Sequence, residues 1–170
     1  MDTAKTLKTG LIVATVLALL VSLYHYTRLP ARVAMHFGPG GKADAWASKE
    51  ANLAMFVGLY VLFGLLFLGV PALMRKVPKR LVNLPNKDYW SKPENYPTAI
   101  DKMAAWSYAY GIALVLFFLL VSHLTYEANM QARPLNEAVF LVGLVAFLVY
   151  TTVATIYLFV MFRKPKEAAT

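Results

Sequence analysis

Few side chains in this 170-residue sequence are suited to chemistry, and they fall at corresponding points of its pattern. His25 closes a first apolar stretch, His36 lies in the polar segment after it, and His123 stands near the end of a third apolar stretch, four residues before Glu127. Imidazole and carboxylate ligate zinc, and imidazole beside the thioether of Met35 or Met130 suits copper. A spacing of four puts His123 and Glu127 on one helical face, and Asp44 adds a carboxylate to the His36 segment. The set His25, His36, His123 and Glu127 therefore describes a metal site, although its spacing matches no local metal motif. A competing reading needs no metal. An interfacial histidine bridges headgroups and water, and one in a loop orders the turn by bonding backbone carbonyls.

Other chemistries have no residues to carry them. The sequence holds no cysteine, which removes disulfides, thiolate metal sites and thiol catalysis together. It lacks H-E-x-x-H, G-x-S-x-G, P-loop and dinucleotide-binding patterns, and its nearest catalytic grouping is again His36 with Asp44 or Glu127. The expectation is a protein that is not an enzyme.

The elements that must position these residues follow from composition. Apolar residues make up 59% of the chain and charged ones 15%, unlike a soluble domain. Stretches free of Asp, Glu, Lys and Arg run over 9–27, 51–74, 103–126 and 138–162. A helix needs about 20 residues to cross about 30 Å of hydrocarbon, so four crossings are expected. The first stretch has basic residues in front, as a secretory signal does, but Tyr24, His25, Tyr26 and Arg28 stand where a cleavage site would be; it reads as a retained helix.

Orientation follows from the basic residues. Lys5, Lys8, Arg75, Lys76, Lys79, Arg80, Lys87, Lys92, Lys102, Arg163, Lys164 and Lys166 fall on one side, twelve against the five of Arg28, Arg32, Lys42, Lys49 and Arg133. The expected fold is thus a single all-α domain over 1–170. It is an integral membrane four-helix bundle with both termini inside, one long outer loop and one long basic cytoplasmic loop. All three histidines then face outward. The net charge of +8 sits at membrane ends, which points to anionic lipid at the cytoplasmic face, at about 1 kcal/mol per residue, rather than to nucleic acid.

Lipid tails are as apolar as leucine, so small residues that allow close approach mark helix contacts. Gly10, Ala14, Ala18 and Ser22 form such a stripe, as do Ala105, Ala109 and Ala113; Ala54 with Gly58, and Gly143 with Thr151 and Thr155, are shorter versions. Pro71 is expected in the last turn of the second span, where a lost backbone bond is tolerated. No charged residue lies within a span, which argues against an ion-coupled transporter.

The outer loop, RLPARVAMHFGPGGKADAWASKE over 28–50, is the most distinctive segment. Leu29-Pro30 stops the first helix, Gly38-Pro39-Gly40-Gly41 forces a tight turn, Ser48 can cap the second helix and Trp46 suits the water–lipid boundary. Leu29, Pro30, His36, Phe37, Gly41, Trp46, Ser48 and Lys49 resemble the signature of a small bacterial membrane-protein family of unknown function, whose domain is shared with SdpI-type bacteriocin-immunity proteins. The inner segment with Asn83, Leu84, Pro85, Asn86, Tyr89 and Trp90 is similar to one that follows the second helix in many relatives. It reads as a docking point for a partner, or as an interfacial turn with Tyr89 and Trp90 at headgroup depth.

SdpI-type relatives protect a producing cell from a secreted toxin and act as receptors in signalling, though they are usually longer, with additional helices. What the resemblance implies is a non-enzymatic multi-pass accessory or receptor protein of the bacterial cytoplasmic membrane. Its role would be toxin immunity or envelope signalling, and its partner a peptide toxin or another membrane protein. The alternative from the histidines is a zinc- or copper-binding membrane protein.

Overall fold

Each apolar stretch becomes a helix, and the first three helices run past their stretches at both ends. The computed structural model describes residues 3–165, so Lys166 lies outside the described residues. The long helices are α1 (Thr3–Arg28), α2 (Lys49–Lys76), α4 (Tyr96–Met130) and α5 (Glu137–Met161), with a single-turn helix α3 (Lys87–Trp90) in the inner loop. All four long helices are long and apolar enough to cross a membrane, and the chain is a multi-pass membrane protein. At 35 residues α4 is about 50 Å long, so it also projects beyond the hydrocarbon.

Helix α4 is the centre of the bundle, packing against α1, α2 and α5, while α1 and α2 close the other side against each other. The α1 stripe is a contact face as its spacing implies. Ala18 and Ser22 are buried, Ala14 packs on the same cluster, and a Cβ on Gly10 would meet Ile112 of α4 at 3.2 Å. A Cβ on Gly111 would lie 2.8 Å from Phe67 and 3.1 Å from Leu11, which makes this glycine the point where α1, α2 and α4 approach together. Gly143 is pressed against Leu120, so it brings α5 close to α4.

Two other stripes do not act as expected. Ala54 and Gly58 are exposed, and nothing lies within 4 Å of a Cβ placed on Gly58. The packed face of α2 is instead Asn52, Phe56, Tyr60 and Gly64, whose aromatic rings pack against the cluster shared with α1 and α4, so Ala54 and Gly58 fall on the opposite, open side of the helix. Ala105 and Ala109 line an open groove instead of a sealed contact. On α5 the hydroxyls of Thr151 and Thr155 donate to carbonyls of their own helix, those of Leu148 and Thr151; the polar link to α4 is Trp106 Nε1 donating to Ala154 O at 2.8 Å.

Pro71 is buried within α2, which continues five residues beyond it to Lys76. Proline has no N–H for the carbonyl four residues back, that of Phe67. Ser107 Oγ of α4 donates to that carbonyl at 2.9 Å. The proline thus leaves an acceptor free, and a neighbouring helix satisfies it as membrane burial requires.

The loop between α1 and α2, expected on the outer side, is a β-hairpin, an addition to the all-helical expectation. Strands β1 (Arg32–Phe37) and β2 (Ala43–Ser48) pair antiparallel, with Arg32 opposite Ser48, Val33 opposite Ala47 and Ala34 opposite Trp46. A short 3₁₀ turn over Pro39–Gly41 joins them, and Gly40 and Gly41 take φ of 72° and 68°, where glycine alone is unstrained.

The loop between α2 and α4, expected on the inner side, folds into a second apolar cluster. Met74, Val82, Leu84, Trp90, Tyr96, Ala99, Ile100 and Phe162 are buried together. Trp90 is therefore a core residue rather than a headgroup anchor, and Tyr89 packs edge-on against it at 5.0 Å. Trp90 Nε1 and Asn86 Nδ2 both donate to Phe162 O, at 2.8 and 3.0 Å, and Lys102 Nζ donates to Met161 O at 2.8 Å. The last carbonyls of a helix have no partner within it, so the inner motif works as a tertiary cap on α5. Asn86 reaches that position from a left-handed backbone, φ 53°, a conformation asparagine tolerates.

Candidate functional site

The outer signature residues build one rigid head. Ser48 caps α2 by accepting from the Ala51 N–H at 3.2 Å, and the Lys49 N–H donates to Ala31 O at 3.1 Å, so the hairpin runs straight into the helix. Leu29, Val33 and Ala34 are buried where the hairpin meets the bundle. The decisive tether is Asn129 on α4. Its Oδ1 accepts from the Ala34 N–H at 2.7 Å, and its Nδ2 donates to Ala34 O at 3.0 Å and to Thr125 O at 2.9 Å. One side chain thus stands in for a neighbouring strand.

The tip of the hairpin is fixed separately. The Leu135 N–H, just before α5, donates to Gly41 O at 2.8 Å, and a Cβ on Gly41 would collide with the Leu135 carbonyl. Gly41→Ala therefore adds a backbone clash to left-handed strain, and we expect it to destabilise the protein by more than about 2 kcal/mol. Gly40 has the same φ with open space around it, so Gly40→Ala should cost only about 1 kcal/mol. Thermal unfolding of the two variants in detergent checks this; equal losses would remove the contact with Leu135 from the account.

The four proposed metal ligands do not come together. His36 Nδ1 sits 2.5 Å from Asp44 Oδ1 across the hairpin, with the two side chains 71% and 52% exposed. His36 thus orders the turn through a carboxylate, not through backbone carbonyls. His25 is buried and stacks on Tyr126 at 4.1 Å and on His123 at 5.8 Å, while Ser122 Oγ lies 3.4 Å from its Nδ1. His123 Nε2 approaches Glu127 Oε1 at 3.9 Å, and the other carboxylate oxygen pairs with Arg133 at 3.5 Å. Among the described residues no three His, Asp or Glu side chains converge on a point where a metal would sit. The reason is topological: β1 carries His36 out on the hairpin, whereas His25 is buried at the end of α1 and His123 lies on the exposed side of α4.

Residues 13–61 match the model of a domain of unknown function, DUF1648. No curated protein and no solved structure matches the chain. The matched segment begins in α1, holds the whole hairpin and ends in α2, so every outer signature residue lies within it and the inner motif lies outside.

Two features escaped the sequence reading. The first is a polar seam inside the hairpin half of the bundle, formed by Ser22 and His25 of α1, Asn52 and Tyr60 of α2, and Ser122 and Thr125 of α4, all buried. The Tyr60 ring is fully buried with its hydroxyl beside Ser22 and Ser122; Tyr60 OH and Asn52 Oδ1 have no hydrogen-bond partner of standard geometry. Tyr60 lies eleven residues into α2, about 16 Å below the hairpin. A scan for charges passes over such residues because none is ionised at neutral pH. The second feature is a groove of about 400 Å³ between the hairpin and the α4–α5 turn, with Arg32, Lys42, Trp46 and Arg133 in its walls. The Arg32 guanidinium lies 6.0 Å from the Trp46 ring.

Proposed function

We propose that this protein is a non-enzymatic receptor or accessory protein of the bacterial cytoplasmic membrane that presents its hairpin to a partner outside the membrane, in toxin immunity or envelope signalling. The observation that carries this reading is the combination of a rigid head with an open basic groove. Asn129, Leu135 and the α2 cap hold the hairpin from three directions, so little ordering cost would fall on a bound partner. The groove exposes arginine, lysine and tryptophan, the chemistry suited to an acidic peptide with apolar side chains. Strand β2 has one neighbour in a two-stranded sheet, so its outer edge is open to an added strand. The resemblance to SdpI-type immunity proteins supports a secreted peptide toxin as that partner.

The orientation with both termini inside is part of the proposal and rests on the basic residues grouped at the end opposite the hairpin. Cysteine at Ala43 should label from outside intact cells, and cysteine at Glu94 only after permeabilisation. Binding is then tested with acidic and basic peptide libraries on protein reconstituted in nanodiscs. Acidic peptides should bind, and the pair Arg32→Glu and Lys42→Glu should weaken them at least about tenfold, since close charge pairs at interfaces contribute more than about 1.4 kcal/mol. Reversed labelling, or binding indifferent to those charges, would sink the receptor reading.

A further inference from the structure

We propose that the groove between α1, α4 and α5 is a binding site for one anionic phospholipid, taken from the leaflet at the basic end of the bundle. The groove has a volume of about 710 Å³, within the range of built ligand pockets. It exists because α1 and α5 both lean on α4 while the residues beneath them, Ala105 and Ala109, are too small to fill the gap. Trp106 forms a fixed wall, since its Nε1 is held by Ala154 O.

Length decides what fits. Along α5 the wall runs from Met161 to Tyr150, eleven residues or about 16 Å. That is half of the about 30 Å hydrocarbon, the depth of a single leaflet. A transmembrane helix of a partner would need a groove along the whole bundle, whereas one acyl chain needs this one.

Charge decides the headgroup. Lys102 and Arg163 line the groove at the basic end, and no acidic residue among the described residues lines it. Lys102 Nζ is anchored at that end by Met161 O and lies 4.5 Å from the Trp90 ring, so its charge is held at the basic end of the groove. Basic pockets between helices at a membrane surface suit phosphate headgroups, at about 1 kcal/mol per cation.

The test uses the purified full chain in detergent and does not depend on which way it faces in the cell. Native mass spectrometry with phosphatidylglycerol and phosphatidylcholine of identical chains should show one retained phosphatidylglycerol, at least about fivefold above phosphatidylcholine, the ratio that one cation's contribution sets. Arg163→Glu keeps the fold, because Arg163 holds its place through a backbone bond to Val160 O, and it should abolish the preference for the anionic lipid. Ala109→Phe fills the floor and should remove retention of both lipids. Equal retention of the two lipids by the wild type, or retention unchanged in both variants, overturns the site. So does a dimer, in place of a lipid adduct, that Ala109→Phe dissolves.

Discussion

Trp90→Ala should destabilise the protein by about 3–5 kcal/mol and release the inner end of α5. The indole fills a buried cluster between the inner loop, α4 and Phe162, and truncating an aromatic residue in such a setting costs this much through lost contacts and the cavity left behind. The same change removes one of two donors to Phe162 O. Trp90→Phe separates these contributions. It keeps most of the apolar filling but loses the N–H and the volume of the second ring, and because Asn86 still donates to the same oxygen the cost should fall to about 1–2 kcal/mol. Thermal unfolding in detergent reads the stability, and protease sensitivity near Arg163 reads the docking of α5. Equal losses for Ala and Phe would mean that packing contributes little; no gain in cleavage for Ala would mean that the inner motif does not hold α5.

Replacing Asn129 by Leu should have a comparable effect at the other surface. Leucine matches the volume but supplies no partner for the Ala34 N–H or C=O, which are buried against α4. Leaving two such groups unpaired costs about 1–3 kcal/mol each, so a loss of about 3 kcal/mol is expected together with fast amide exchange through β1. Asn129→Asp keeps the acceptor for the Ala34 N–H and loses both donated bonds, so it should fall between. Hydrogen exchange of the hairpin amides is the measurement. Protection unchanged in the leucine variant would show that the hairpin stands without this tether.

The number and placement of the helices were legible because burial in lipid forbids charge over about 20 residues, and only four stretches satisfy that rule. Tertiary partners were not legible to the same degree. The α1 stripe identified its own contacts, yet Ala54 and Gly58 show that small residues mark a face only where a neighbouring helix is present to use it. The hairpin was hidden because Arg32–Phe37 and Ala43–Ser48 are short and lack clean alternation, and because its pairing on the α4 side comes from Asn129, 95 residues from Ala34 along the chain. Ser107 serving the carbonyl that Pro71 leaves free is likewise a relation between two helices that neither helix's sequence contains. At the candidate site the residues Leu29 to Lys49 fall on the hairpin and its junctions with the helices, whereas nothing in the spacing of the histidines shows that strand and helix carry them to different places.

Helix α5 has no buried residue of its own, and its outward side chains from Val142 to Phe159 are among the most exposed apolar groups in the protein. It stays in place through Leu120, Trp106, Gly41 O and the cap on Phe162, and every one of those partners precedes it in the chain. Every group that seats α5 is therefore synthesised before α5 itself. A released chain ending at Arg133 is expected to pack α1, α2 and α4 against one another without it, and α5 added as a separate segment should settle sideways from lipid into that seat.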